Sequence, residues 1–236
     1  MIDFGIIAAG DGKRIMQEGS PFPKPLVEIE GKPMIGRLIE LMEEAGARSV
    51  SIVVNEDMTR VIEYLQEFLP SAKCELKFES IKTPSSFHSF YRIMQLMKPT
   101  GKFIVATVDS VCRAEDFKNY VDYFLNVPHG IDGVMGVTTN IDDEKPLYVE
   151  TEGRHRIVAF RDEAFDGVKY VSAGYYGLQT SVFPILQECV TQNVSRMRNF
   201  QRKLLEQGLN LDAFPMGKVV DVDHLDDIAK ANSILG

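Results

Sequence analysis

Apolar runs alternate with amphipathic segments from the first residues of the chain. "FGIIAA" (4–9) reads as a buried strand, and 33–45 as a helix, with Ile35, Leu38, Ile39 and Met42 at i, i+3, i+4 and i+7. "SVSIVVN" (49–55) predicts a strand, and 57–69 a helix turning Val61, Ile62, Leu65 and Phe68 inward. "CELKFES" (74–80) is a strand, 86–97 a helix, "KFIVATVDS" (102–110) an apolar strand and 114–126 a helix. Such strand-helix-strand units give an α/β fold, a Rossmann-like, mostly parallel sheet flanked by helices on both faces.

After Gly130 the rhythm changes. "DGVMGVTT", "PLYVET", "RIVAFRD" and "KYVSAGYYGL" are strand-like runs with short polar connections, which predicts a small antiparallel α+β insertion. Helices return over 182–190 and 196–207, and the chain closes with strand-like "KVVDV" and a helix over about 225–235. No linker rich in Pro, Gly or Ser interrupts the 236 residues, so they read as one domain.

Composition narrows the partners. A net charge of −8 with no local run of cations argues against a nucleic-acid partner, while a small anion held by a few cations stays open. The three cysteines have neither C-x-x-C nor zinc-ligand spacing, which argues for a reducing compartment and no structural metal. No apolar segment reaches the length needed to span a bilayer and Asp3 stands where a signal peptide carries cations, so the expectation is a cytoplasmic protein without membrane contact. A homo-oligomer stays open.

The chemistry starts behind the first strand, in "AAGDGKRI" (8–15). A P-loop needs G-x-x-x-x-G-K-[ST], and the spacing here differs. A dinucleotide fingerprint needs a third glycine or alanine where Ile15 stands, with a helix opening at once, whereas "MQEGSPFPKPLVEI" reads as a long loop delaying the first helix to Pro33. What fits is a loop whose glycines let backbone N–H groups approach an anion beside Lys13, Arg14 and Lys24, with Pro23 and Pro25 stiffening the backbone around that last lysine.

"AAGDGKRI…FPKPLVEIEGKPMI" resembles the signature of the nucleotidyltransferases that make NDP-sugars, L-A-A-G-x-G-x-R followed by P-K-P-L-x-x-x-x-G-K-P. Lys13 replaces the small Ser or Thr many members carry. The resemblance implies a GT-A-like fold in which about 1–130 forms the nucleotide-binding half and about 131–220 the acceptor-binding part. Ala8, Ala9, Gly10, Gly12 and Lys13 would hold the nucleotide, Arg14 the β/γ-phosphates, and Lys24 the α-phosphate or acceptor phosphate.

Two anionic phosphates reacting with one another need a divalent cation, Mg²⁺ or Mn²⁺, which takes one or two carboxylates from a protein. Asp109 ends the apolar strand "FIVATVD", where ligands of open α/β sheets bind, and the resemblance assigns it to the metal, with Val108 in place of the usual Gly or Ala. "VVDVDHLDD" supplies Asp221 or Asp223, and the sequence leaves the choice between them open. An N-cap on the last helix is the competing reading of Asp223, and Asp226 and Asp227 read as first-turn carboxylates.

"KTPSSFHSF" lies where the family opens a helix against the base. Thr83, Ser85 and Ser86 are candidates for the nucleotide, and the two serines read equally well as N-caps. "VSAGYYGL" resembles the family's acceptor segment N-A-G-[IL]-Y, with Ser172, Ala173 and Gly174 as acceptor candidates; a strand bulge also accounts for the glycine. The E-K-P that often precedes this segment is missing from "FRDEAF".

The resulting expectation is an Mg²⁺-dependent, pyrophosphate-releasing nucleotidylyltransferase joining a nucleoside triphosphate to a sugar 1-phosphate. The alternatives are a cytidylyltransferase acting on a small phosphorylated alcohol such as phosphocholine, a glycosyltransferase of related fold, and a non-catalytic nucleotide-sugar-binding protein.

Overall fold

The computed structural model describes residues 1–141 and 144–236. The chain starts with β1 (Ile2–Ala8), α1 (Lys13–Gln17), β2 (Glu28–Ile29), β3 (Lys32–Pro33), α2 (Met34–Glu44), β4 (Ala47–Val54), α3 (Thr59–Phe68) and β5 (Glu75–Ser80). Next come α4 (Ser86–Met97), β6 (Lys102–Thr107), β7 (Ser110–Val111), α5 (Ala114–Leu125), β8 (Gly133–Thr138), β9 (Tyr148–Glu152), β10 (Arg156–Arg161) and β11 (Tyr170–Gln179). The last elements are α6 (Phe183–Thr191), α7 (Met197–Glu206), β12 (Leu211–Pro215), β13 (Val220–Asp221) and α8 (Leu225–Leu235).

One nine-stranded sheet of order β5-β4-β1-β6-β11-β8-β12-β10-β9 carries the fold. β1 lies parallel to β4 and β6, and β4 parallel to β5, as crossover helices require. β11 runs antiparallel to both β6 and β8, and β10 antiparallel to β9, so the α/β class with an antiparallel part is as expected.

Strand side chains alternate between faces, which sends Ile6 into one layer and Ile7 into the other. α2, α3 and α5 cover the first with Leu38, Val61 and Phe124; α4, α6 and α7 cover the second with Phe90, Leu186 and Phe200. Phe90 and Phe200 are fully buried, each worth about 1.5–3 kcal/mol. A smaller cluster ties α8 (Ala231, Ile234) to Ile15, Val27, Ile29 and Val222, anchoring the glycine-lysine-arginine loop from below. No helix among the described residues is long and apolar enough to cross a membrane.

Three local expectations need correction. The segment after Gly12 is not loop throughout: α1 opens immediately, but it holds only five residues before Gly19, at φ +104, closes it with backbone bonds from Gly19 and Ser20 to the Met16 and Ile15 carbonyls. Strand-like "KVVDV" is extended only over Val220–Asp221, which pairs with Ser110–Val111 outside the main sheet. Conversely β12, which the sequence reading passed over, lies inside the sheet, parallel to β8.

Candidate active site

The carboxyl end of β1 delivers Gly10 and Gly12 to the rim of a cavity of about 490 Å³. Gly12 has φ +57, and a Cβ there would sit 2.8 Å from Lys24 Cβ, so both conformation and space call for glycine. That close approach seats Lys24 under the loop.

Lys24 is 8% exposed. Its ammonium donates to Asp109 Oδ2 at 2.6 Å and to Asp223 Oδ1 at 2.5 Å. Burial pulls the lysine toward neutrality, but Asp109, Asp221 and Asp223 outweigh it and hold it above the usual lysine range. Burial likewise opposes charge on Asp109, and Lys24 with the Thr107 hydroxyl overcomes this, holding the carboxyl below its usual range. Arg14 Nη1 donates to Asp223 Oδ2 at 2.6 Å, so Asp223 is gripped by two cations.

Asp223 is not an N-cap. Asp227 Oδ2 instead accepts the backbone N–H groups of Asp223 and His224, at 3.1 and 2.8 Å, which leaves the Asp223 carboxylate for the cations. Asp227 is a first-turn carboxylate as expected, and it is buried; burial opposes its charge, and Lys230 with these N–H groups holds its carboxyl low.

A second cavity, of about 300 Å³, adjoins the first. Ser86, Thr107 and Asp109 line both, so Asp109 stands at the seam. Ser172, Ala173, Gly174 and Asp221 line the second only, whereas Ala8, Ala9, Lys13, Arg14, Lys24, Thr83, Ser85 and Asp223 line the first only. Gly174 has φ +78 at a register shift in β11, and a Cβ there would strike Ser110 Oγ at 2.3 Å and Thr107 Oγ1 at 2.4 Å. The glycine thus lets β11 pass close to the strand end that presents Asp109.

The hydroxyls of "TPSSF" are already engaged. Thr83 Oγ1 lies 2.7 Å from Ser89 Oγ. Ser85 Oγ accepts from the Arg196 N–H and Ser86 Oγ from the Met197 N–H, each at 3.0 Å, so their side chains fasten the start of α7; Ser85 occupies the N-cap position of α4, without a side-chain cap bond to that helix. Arg196, Arg198 and Gln201 around α7 line the second cavity and were missed from sequence; the two cations in "SRMRNF" were the available signal. Another lies in Glu144-Lys145-Pro146, an E-K-P earlier in the chain than "FRDEAF", with Pro146 in the second cavity wall.

The MobA-like NTP transferase domain matches residues 5–174. The chain belongs to this family. The bifunctional protein GlmU of Methanococcus maripaludis is 24% identical over 240 residues, covering 98% of this chain and 54% of that protein. The chain spans about half the length of the curated relatives it matches. This NTP transferase domain superposes on the inositol-1-phosphate CTP transferase of T. maritima with a TM-score of 0.79 at 18% identity, over 100% of this chain and 98% of that one. A UDP-glucose pyrophosphorylase bound to UDP-glucose gives a TM-score of 0.78 at 20% identity, over 99% and 98%. At these identities the two likenesses establish the fold.

Proposed function

We propose that this NTP transferase domain joins a nucleoside triphosphate to a sugar 1-phosphate, giving an NDP-sugar and pyrophosphate. The observation that carries the reading is Asp109 at the seam of two cavities, bridged by Lys24 to Asp223. Residues of about 1–130 line the first cavity, save for Asp223, and would hold the triphosphate; the second would take the acceptor.

An acceptor phosphate oxygen attacks the α-phosphorus in line, and the bond to the bridging oxygen of the β-phosphate breaks to release pyrophosphate. No covalent enzyme intermediate is required, so the catalytic contribution is positioning and charge neutralisation. Loop N–H groups behind Gly10 and Gly12 orient the phosphates. Arg14 stabilises charge on the departing pyrophosphate, and Lys24 the transferred group.

Asp109 and Asp223 place two carboxylate oxygens within 2.6 Å of one cationic atom, a hard, anionic donor pair that suits Mg²⁺ or Mn²⁺ completed by phosphate oxygens. Among the described residues no three His, Cys, Asp or Glu side chains gather as a metal site, which fits an ion bound jointly with substrate. When bound, the ion polarises the phosphoryl oxygens and offsets charge between the reactants. Three free thiols, two of them buried, support a reducing, cytoplasmic setting.

Pyrophosphate release from the four triphosphates with a panel of sugar phosphates in Mg²⁺ tests the reading. Release dependent on one triphosphate and one acceptor is expected; none with any pair would refute it.

A further inference from the structure

Two features that oppose stability lie in and just before α7 and border one cavity. Gln201, in the first turns of α7, is 1% exposed and lines the second cavity, yet its Oε1 is shielded with no hydrogen-bond partner among the described residues. A buried amide end normally finds a partner, because desolvation otherwise goes uncompensated. Arg196, immediately before the helix, has φ +67 and ψ 142, a conformation strained for any residue with a Cβ. The Ser85 and Ser86 hydroxyls hold the backbone there.

The charges on α7 are divided. Arg198 is committed, donating to Asp162 Oδ1 at 2.7 Å and to the Lys145 carbonyl at 2.8 Å. Arg196 lines the cavity with no ion pair or side-chain hydrogen bond among the described residues. A buried amide lacking a donor and an uncommitted guanidinium thus border the space beside Asp109.

We propose that Gln201 and Arg196 select the acceptor, and that this acceptor is a hydroxyl-rich phosphate, a phosphorylated sugar or cyclitol, rather than a phosphorylated quaternary amine. The inference rests on the nucleotidyl-transfer reading above. A ligand hydroxyl donates to the Gln201 carbonyl, and rotation about the last side-chain torsion presents either end of the amide without moving the rest of the residue. The Arg196 fork matches phosphate oxygens. A quaternary ammonium group has no N–H to donate and is recognised by aromatic faces; Tyr176 is the one aromatic residue among the described lining, and Arg196 adds a like charge.

Gln201→Leu, Gln201→Met and Arg196→Gly in the full chain separate selection from a structural role. Each removes an unmet amide or a strained φ, so melting temperatures at or above wild type are expected. Calorimetry uses glucose 1-phosphate, mannose 1-phosphate, inositol 1-phosphate and phosphocholine as probes, with Mg²⁺ and a non-transferable α,β-methylene triphosphate present. Wild type should bind at least one hydroxylated probe roughly tenfold or more tighter than phosphocholine, and the variants should lose about that factor while keeping triphosphate affinity. Phosphocholine as the tightest probe, binding of no probe, unchanged affinity in all three variants, or a loss that tracks a fall in melting temperature would overturn the proposal. Pyrophosphate release is read separately: the expected binding with no pyrophosphate formed leaves the selection standing and refutes the transfer reading.

Discussion

Lys24 Nζ lies 2.6 Å from Asp109 Oδ2 although the two residues are 85 positions apart in the chain. The same ammonium reaches Asp223, so a lysine holds together two carboxylates that would otherwise repel one another beside a largely buried lysine stem. Substrate phosphates entering the first cavity would compete for that ammonium.

Lys24→Met should therefore destabilise the protein through uncompensated carboxylates, by about 1–3 kcal/mol given that the pair is only partly buried. Millimolar Mg²⁺ should restore more melting temperature to this variant than it adds to wild type, because a cation again lies between Asp109 and Asp223. Thermal melts with and without Mg²⁺ check this, and equal increments in both proteins would count against a shared cation position.

Metal removal gives the second prediction. Turnover should require Mg²⁺ or Mn²⁺, and Asp109→Asn should abolish it while the fold survives. Asp223→Asn should act like Asp109→Asn, whereas Asp221→Asn, lining the other cavity, should act mainly on the KM of the acceptor. Full activity in excess EDTA would refute the first half, and matching effects of the Asp221 and Asp223 variants the second.

The regular half of the fold was legible because β1, β4 and β6 are apolar runs and β5 alternates apolar and polar positions, with helices of clear 3.6-residue periodicity between them. β12 escaped because Asp212 and Pro215 break its apolar pattern; its place comes from pairing with β8, a long-range fact. Asp109 was readable as the end of an apolar strand. The choice between Asp221 and Asp223 was not: the chain leaves extended pairing after Asp221, and residues two apart, which share a face in a strand, here line different cavities. Gln201 carried no local signal, since its significance lies in a missing partner across the cavity.

Arg14 grips Asp223 while remaining half exposed, which a loop anchor and a phosphate ligand would both do. Arg14→Ala should lower kcat by roughly tenfold to a thousandfold, the scale of one preorganised electrostatic contact, with little change in melting temperature. Arg14→Lys should recover only part, because it keeps the charge and loses the fork. A fall in melting temperature with kcat intact would make it an anchor only.

Thiol chemistry offers a check on packing. Burial pushes the Cys112 thiol up to about 12, and burial also raises Cys189 and the half-buried Cys74. The thiolate is the reactive form, so raising pH through the ordinary thiol range should leave Cys112 inert in the folded protein and reactive once unfolded. At pH 8, a disulfide reagent should modify Cys74 alone, slowly; rapid modification of Cys112 would show that the α5 side of the core opens.

Ser86 lines both cavities, and its hydroxyl accepts the Met197 N–H at the start of α7. The sequence left Ser86 open between a nucleotide contact and an N-cap, and the hydrogen bond ties the residue to the start of the helix that follows Arg196 and carries Gln201. Ser86→Ala leaves that N–H without its acceptor and loosens the helix start, whereas the loop N–H groups proposed to orient a triphosphate are untouched. The expected result is a rise in acceptor KM of roughly fivefold or more, the equivalent of about 1 kcal/mol for one neutral hydrogen bond, with triphosphate KM changed far less. Initial rates with each substrate varied in turn measure both constants, and a triphosphate KM that rises as much as the acceptor's would return Ser86 to the nucleotide site.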